Sequence, residues 1–412
     1  MHATTEEVPG GSSESMNMFS MGPRRSVWAL LGSFAAAFGG WLVRTHSNST
    51  PLDLQAWRVS PQRTEELGRC TMERLDLAAW NSRFLKDYHL KKPAILVGWS
   101  PEWVQALKDA TRPMPLLERF GTTTVLTGRP RELVRDGQKK ARQEERLQDY
   151  VASMPGSTYL FDDGSFLRSS GLDRSWETAP GLDALGTFND WSNNKTSYLA
   201  GSTQPVKGPL VTFSLGSTGQ GVAFHIHGDS YNLHLHGRKQ WAIYAPGKMP
   251  RTGFSRSETF EDWLRLRRQG PDFTQPEWEC IQEAGEVLYI PEGFYHGTSC
   301  VEDCVGAVHQ VERLTPGTSF ERFVASRKGT PSEAVSLLRE ALKLDGTNSD
   351  YWMELGVLYA SAGRLGEAIA CLEKSLDLNP LNEDARSNLA SLYVRGGRRL
   401  DAARLRWERL WL

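Results

Sequence analysis

The sequence predicts a mainly β double-stranded β-helix, or jelly roll, followed by an all-α repeat segment and preceded by a membrane anchor. Three observations carry this. Short strand-like runs separated by turn residues fill the middle of the chain. A repeat of about 34 residues occupies its last quarter. An uncharged apolar run from Val27 to Val43 lies near its start.

The elements follow in order. Residues 1–23, rich in Gly, Ser, Glu and Met, read as a disordered tail. Residues 24–44 read as a signal anchor, with cleavage as the alternative, because the apolar run reaches only the lower end of the spanning range of about 17–25 residues. Arg24 and Arg25 before it and Arg44 after it give a slight bias toward a cytosolic amino end and a lumenal body. A Ser/Thr/Pro linker takes up residues 45–67. Two glycosylation triplets, Asn48-Ser49-Thr50 and Asn194-Lys195-Thr196, fit a secretory lumen, and the endoplasmic reticulum or another lumen of that pathway is the expected location.

Charge excludes one class of partner. Basic and acidic side chains number 48 and 49, and no basic tract stands out, so the footprint of a nucleic-acid binder is missing. The 14 tryptophans speak for folded, aromatic-rich structure. Five cysteines leave at least one thiol free or intermolecular. Cys300 and Cys304 suit either a short bridge or an apolar role, and Cys371 suits helix packing.

Residues 68–314 form the β-rich domain. The strand-like runs are Lys92 to Val97, Thr124 to Thr127, Thr158 to Phe161, Leu210 to Phe213, Gly221 to His227, Tyr231 to His236, Gln240 to Tyr244 and Val287 to Ile290. Gly237-Arg238-Lys239 makes a tight turn, and Ser255 to Arg268 reads as an amphipathic helix. Many short antiparallel strands imply a double-sheet jelly roll, the architecture of cupins.

Within this domain His225, His227, His234 and His236 crowd one stretch, and His296 follows Gly285-Glu286-Val287-Leu288-Tyr289-Ile290-Pro291. Strand side chains alternate faces, so His225 and His227 point the same way. A third imidazole from another strand closes a facial triad that leaves coordination positions open. Asp229 offers a second register, since His227 and Asp229 are also two apart.

The run Gly216 to Tyr244, the pair Trp263-Leu264, and Glu279-Cys280-Ile281 through Ile290-Pro291 to His296 resemble the JmjC family of Fe(II) and 2-oxoglutarate dioxygenases, over roughly residues 68–311. The resemblance implies that His225, His227 and His296 bind Fe(II). Histidine stands at the second place, where most members have Asp or Glu, so the ligand set is neutral. It further implies that Lys239 pairs with the distal carboxylate of 2-oxoglutarate, with Asn232 as a polar contact and Tyr159 adding a hydroxyl. Val222 and Val308 occupy places where members often carry threonine. His234 and His236 fall at ordinary strand positions and are expected to be satisfied polar or surface residues. Trp241 and Tyr244 are expected in the core. The implied activity is oxidative decarboxylation of 2-oxoglutarate coupled to hydroxylation of a protein or peptide side chain. The alternative is a metal-binding scaffold without turnover.

Residues 315–412 carry the repeat. Trp352-Met353-Glu354-Leu355-Gly356-Val357-Leu358-Tyr359, then Ala368, Leu372, Ser375 and Pro380, match the tetratricopeptide pattern of paired helices. One period later come Leu389, Ala390, Tyr393 and Ala402, and one period earlier Ala334, Leu338, Ala341 and Gly346, giving about two and a half repeats. So few repeats are expected to lean on the preceding domain. They serve either as a groove for a peptide or protein partner or, structurally, as a packing buttress or dimer contact.

Overall fold

The structure, a computed structural model, describes residues 56–59, 70–76, 83–129, 133, 142–162, 165–172, 196–198, 205–207, 210–248, 260–266, 274–310, 316–380 and 382–408. The expected tail and anchor, most of the linker, Asn48 and Asn194 lie outside these residues. Among the described residues no helix is long and apolar enough to cross a membrane.

The chain lays down β1 (Arg74–Asp76), β2 (Ala94–Val97), α1 (Pro101–Ala110), α2 (Pro113–Phe120), β3 (Thr124–Gly128), β4 (Gln143–Arg146), α3 (Leu147–Ala152), β5 (Tyr159–Phe161) and α4 (Ser165–Ser170). A small ribbon of β6 (Thr196–Tyr198) and β7 (Pro205–Lys207) follows. The main run is β8 (Leu210–Gly216), β9 (Gly221–His225), β10 (Ser230–His236), β11 (Lys239–Tyr244), α5 (Phe260–Leu266), β12 (Trp278–Gln282), β13 (Val287–Ile290), β14 (Tyr295–Cys300) and β15 (Cys304–Gln310).

A nine-stranded sheet, ordered β1-β2-β13-β10-β15-β8-β5-β3-β4, is joined by a four-stranded sheet, ordered β12-β11-β14-β9. Apart from β11 and β12, which are neighbours in the small sheet, successive strands of the main run cross between the two, which is the expected double-sheet winding. The Gly237 turn follows from this: instead of closing a hairpin it carries the chain from β10 in the large sheet to β11 in the small one. Gly237 has φ +72°, and a Cβ there would lie 2.2 Å from the Asp303 carbonyl oxygen, so no other residue fits.

Three apolar layers follow from strand alternation. On the outer face of the large sheet, Phe213, Leu215, Tyr231, Leu233 and Leu235 pack with Leu107, Leu116, Leu147 and Phe166 from the covering helices. Burying each such side chain contributes about 1.5–3 kcal/mol. On the outer face of the small sheet, Phe224, Ala242 and Tyr244 pack with Phe260 and Trp263 of α5. Between the sheets, Ile95, Leu288 and Ile290 meet Trp241, Ile243 and Cys280. Trp241 and Tyr244 are thus core residues, on opposite faces of β11.

Two disulfides close the domain. Cys70–Cys280 ties the segment before β1 to β12, and Cys300–Cys304 spans the bend between β14 and β15, while Cys371 is free and buried.

The C-terminal segment forms α6 (Ser319–Ser326), α7 (Pro331–Leu344), α8 (Ser349–Ser361), α9 (Leu365–Leu378), α10 (Glu383–Arg395) and α11 (Arg399–Glu408). That is three helical hairpins, half a repeat more than the pattern shows. At the slot filled by Gly356 and Ala390, α6 has Arg322, so the sequence does not mark it as a repeat helix. Thr330 caps α7 through a capping box with Glu333, and Asn348 and Asn382 cap α8 and α10 one period apart. Gly356 lets α8 approach α9: a Cβ there would lie 2.9 Å from Leu372.

The repeats lean on the β domain. Ile226 packs into their apolar cluster. Thr318, the N-cap of α6, donates to the Glu292 carboxylate, and Asp345 accepts from the Gly247 amide. These contacts supply the buttress of the structural reading.

Gly237→Ala is expected to lower the unfolding free energy by about 2–3 kcal/mol, as a strained turn and a backbone clash dictate. Urea denaturation followed by tryptophan fluorescence measures it, and an unchanged midpoint would contradict the account of the turn.

Candidate metal centre

His225 ends β9, His227 lies two residues beyond it, and His296 sits in β14 directly opposite His225 in the ladder. The ladder between β14 and β9 slips one residue between His296 and Thr298, so that Thr298 faces Val222. This bulge permits both Val222, packed against Tyr159 and Cys300, and His225 to face the interior although they are three apart.

One ring nitrogen from each of His225, His227 and His296 lies within 4.8 Å of the others. Ring centroids are 5.1 Å apart for His225–His227, 4.3 Å for His225–His296 and 4.5 Å for His227–His296. Each Nδ1 faces a backbone carbonyl: Ala223 at 2.8 Å, Gly228 at 2.7 Å and Phe294 at 2.9 Å respectively. A carbonyl only accepts, so Nδ1 carries the hydrogen and Nε2 keeps its lone pair, the tautomer a metal needs. Burial pushes His225 down to about 4, His227 to about 3 and His296 well below the ordinary value, so all three are neutral near pH 7.

Asp229, the carboxylate of the second register, is engaged elsewhere. It accepts from the Tyr289 hydroxyl at 3.1 Å and the Glu292 amide at 2.8 Å, and pairs with His89 at 3.3 Å. The geometry assembles the trio of histidines and gives Asp229 a bracing role in the loop.

Deeper in the interior, Lys239 opens β11 and is 5% exposed. Its Nζ donates to the Tyr159 hydroxyl at 2.9 Å and lies 5.5 Å from the Trp241 ring. Among the described residues no carboxylate pairs with it, so a buried ammonium is left with one neutral hydroxyl and two ring faces. Gly216 makes room for Tyr159, since a Cβ there would lie 2.4 Å from that ring. Asn232 donates to Ser230 Oγ at 3.1 Å and to the Leu288 carbonyl at 3.3 Å.

The structure adds residues that the sequence reading passed over. Asn232 stands opposite Val308, which stands opposite Thr212, and His234 stands opposite Gly306, which stands opposite Ser214. Buried Thr212 and Ser214 therefore line the same interior face, beside the valine. Alternation along Leu210-Val211-Thr212-Phe213-Ser214-Leu215-Gly216 was the signal for them. His236 is a satisfied polar group, held by Thr111 Oγ1 at 2.9 Å and the Lys108 carbonyl at 3.0 Å. His234, expected to be satisfied as well, is 2% exposed, and its Nε2 has no hydrogen-bond partner.

The donor set suits Fe(II): three neutral imidazoles with free lone pairs leave the ion its full charge and open positions. The unpaired Lys239 suits a carboxylate at the far end of a dianionic chelator.

The JmjC domain family matches residues 208–315, and the tetratricopeptide repeat family matches residues 349–382. JmjC domain-containing protein 8 of Homo sapiens is 29% identical over 277 residues, covering 66% of this chain and 89% of that protein. Its counterpart in Mus musculus is 27% identical over 235 residues, with coverage of 56% and 78%. The 2-oxoglutarate and iron-dependent oxygenase JMJD4 of Gallus gallus is 30% identical over 104 residues, with coverage of 23% and 24%.

His296→Ala is expected to weaken Co(II) binding by at least roughly 100-fold, more than loss of an outer partner would cost. Asp229→Asn leaves it nearly unchanged, and the Co(II) visible spectrum reads both. Strong dependence on Asp229 would restore the second register.

Histidines 225, 227, 234, 236, 296 and 309 all have folded values below the ordinary 6.5 because of burial. The unfolded chain binds these protons first as pH falls. Stability of the metal-free chain is therefore full above about pH 6.5 and is lost as pH drops from there toward 4, by about 1.4 kcal/mol per pH unit for each differential proton. Urea midpoints at pH 7 and pH 5 test this, and equal midpoints would refute it.

Proposed function

We propose that this chain, which carries a JmjC domain and a tetratricopeptide repeat, is an Fe(II)- and 2-oxoglutarate-dependent oxygenase that hydroxylates a protein side chain in the lumen of the secretory pathway. The observation that carries the reading is the pairing, inside one barrel, of three converging neutral imidazoles with a buried ammonium that has no carboxylate partner among the described residues. Relatives named as 2-oxoglutarate- and iron-dependent oxygenases support it.

His225, His227 and His296 hold the metal, each ring fixed by a backbone carbonyl. Iron with its co-substrate supplies oxidative decarboxylation to succinate coupled to oxygen insertion into a C–H bond. Lys239 and Tyr159 orient the distal carboxylate of 2-oxoglutarate, and Trp241, 6.2 Å from the His296 ring, walls the site from water. With three neutral ligands the ion keeps a charge of +2, which the dianionic co-substrate balances.

Two disulfides support an oxidising compartment. The apolar run Val27 to Val43 and the two glycosylation triplets agree with a membrane-anchored chain facing that lumen.

A second reading is a JmjC-fold scaffold that binds metal without turnover and acts through its repeats. Histidine at the second ligand place, with Val222 and Val308 in the interior, favours it.

Anaerobic titration separates the two. Fe(II) with 2-oxoglutarate is expected to give a weak visible charge-transfer band, and air to release succinate. Lys239→Met removes the buried ammonium offered to the carboxylate and weakens 2-oxoglutarate binding by roughly 100-fold. Tight Fe(II) binding indifferent to 2-oxoglutarate would leave the scaffold.

A further inference from the structure

His234 is unused by the site as described so far. It lies on β10 on the same face as Asn232, opposite Gly306 and, one strand further, Ser214. A Cβ on Gly306 would lie 3.6 Å from His234 Nδ1 and 3.4 Å from Ser214 Oγ, so the glycine leaves room for the imidazole beside that hydroxyl. The ring is 2% exposed, and the Lys239 charge reaches it.

One ring nitrogen is bonded to the Gly237 carbonyl, and Nε2 is the nitrogen left without a partner. The carbonyl accepts a hydrogen from Nδ1, so in the neutral ring Nε2 is a bare lone pair. A buried acceptor with no donor is costly, and here it lies within range of the Lys239 charge, on the interior face that Asn232, Thr212 and Ser214 share.

We propose that His234 is a further binding residue for 2-oxoglutarate: its Nε2 bonds the distal carboxylate beside Lys239, and one proton is taken up as the co-substrate binds. This rests on the function proposed above. A carboxylate is also an acceptor, so two lone pairs meet unless a hydrogen comes between them. That hydrogen comes from solvent: neutral chain, dianion and one proton give a complex in which an imidazolium donates to the carboxylate. The incoming negative charge makes protonation possible where the free chain resists it.

The free chain resists it because of burial first, then the charges of Lys239, His236 and Lys108. Tyr159, bonded to Lys239, is a further ionisable group beside it. Just before β13, Glu286, whose carbonyl accepts from the His234 amide, has its carboxylate bound to Arg74 at 2.7 Å and does not supply the missing charge.

Titration calorimetry on the anaerobic Mn(II)-loaded chain tests the proposal, with 2-oxoglutarate in phosphate and in Tris buffer at equal pH. The wild-type chain is expected to take up close to one proton, with affinity falling about tenfold per pH unit above neutrality. His234→Phe abolishes the uptake and flattens the pH dependence. His234→Gln, whose amide donates without titrating, retains affinity but shows no uptake, and it guards against a misfolded Phe variant. Lys239→Met weakens binding yet keeps the uptake. Binding without proton uptake in the wild type, or uptake that survives in His234→Gln, overturns the role of His234 and leaves the oxygenase reading intact. Absence of any 2-oxoglutarate binding to the wild type overturns both.

Discussion

The pairing of β14 with β9 is the constraint on which the site depends. It sets His296 directly across from His225, and its one-residue slip lets the strand present Val222 and His225 to the same interior. Backbone carbonyls of Ala223, Gly228 and Phe294 then hold each imidazole by Nδ1. The ladder therefore fixes which rings converge, and the carbonyls fix which nitrogen each ring offers. His225 and His296 stand on strands, which hold side-chain geometry more tightly than loops, and His227 follows just beyond β9.

Apolar and polar groups share the interior. Trp241, Ile243, Leu288 and Ile290 pack between the sheets, and Lys239, Tyr159, Asn232, Thr212, Ser214 and His234 are buried as well. A folded chain tolerates an unpaired ammonium and an orphaned imidazole nitrogen at a cost in stability, and a ligand that completes both recovers it.

The repeats bear on the same site from outside. His225 and His227 face inward, and Ile226 between them packs into both the repeat cluster and the cluster around α5. The His227 carbonyl accepts from Gly293, whose neighbour Glu292 accepts from the α6 cap Thr318. The ligand segment is thus braced on one side by the barrel and on the other by the first repeat helix.

The sequence by itself marked eight strand runs, the later repeat helices and the histidines that converge, because alternation and helical periodicity are local properties of the chain; it did not mark β12, β14, β15 or the first repeat helix. Lys239 and Tyr159 were also named from it, through a resemblance, but their hydrogen bond joins residues eighty positions apart and exists only in the fold. Only the tertiary structure shows which side chains converge, since His225, His227 and Asp229 alternate equally well on paper. The partners of Asp229 come from Tyr289, Glu292 and His89, distant in sequence, and these take it out of the competition. The same holds for His234 and His236. They share a strand face in the sequence, yet one finds Thr111 and Lys108 on a covering helix and the other is left with a bare nitrogen inside the barrel, because a hydrogen-bond partner is a matter of where other elements pack.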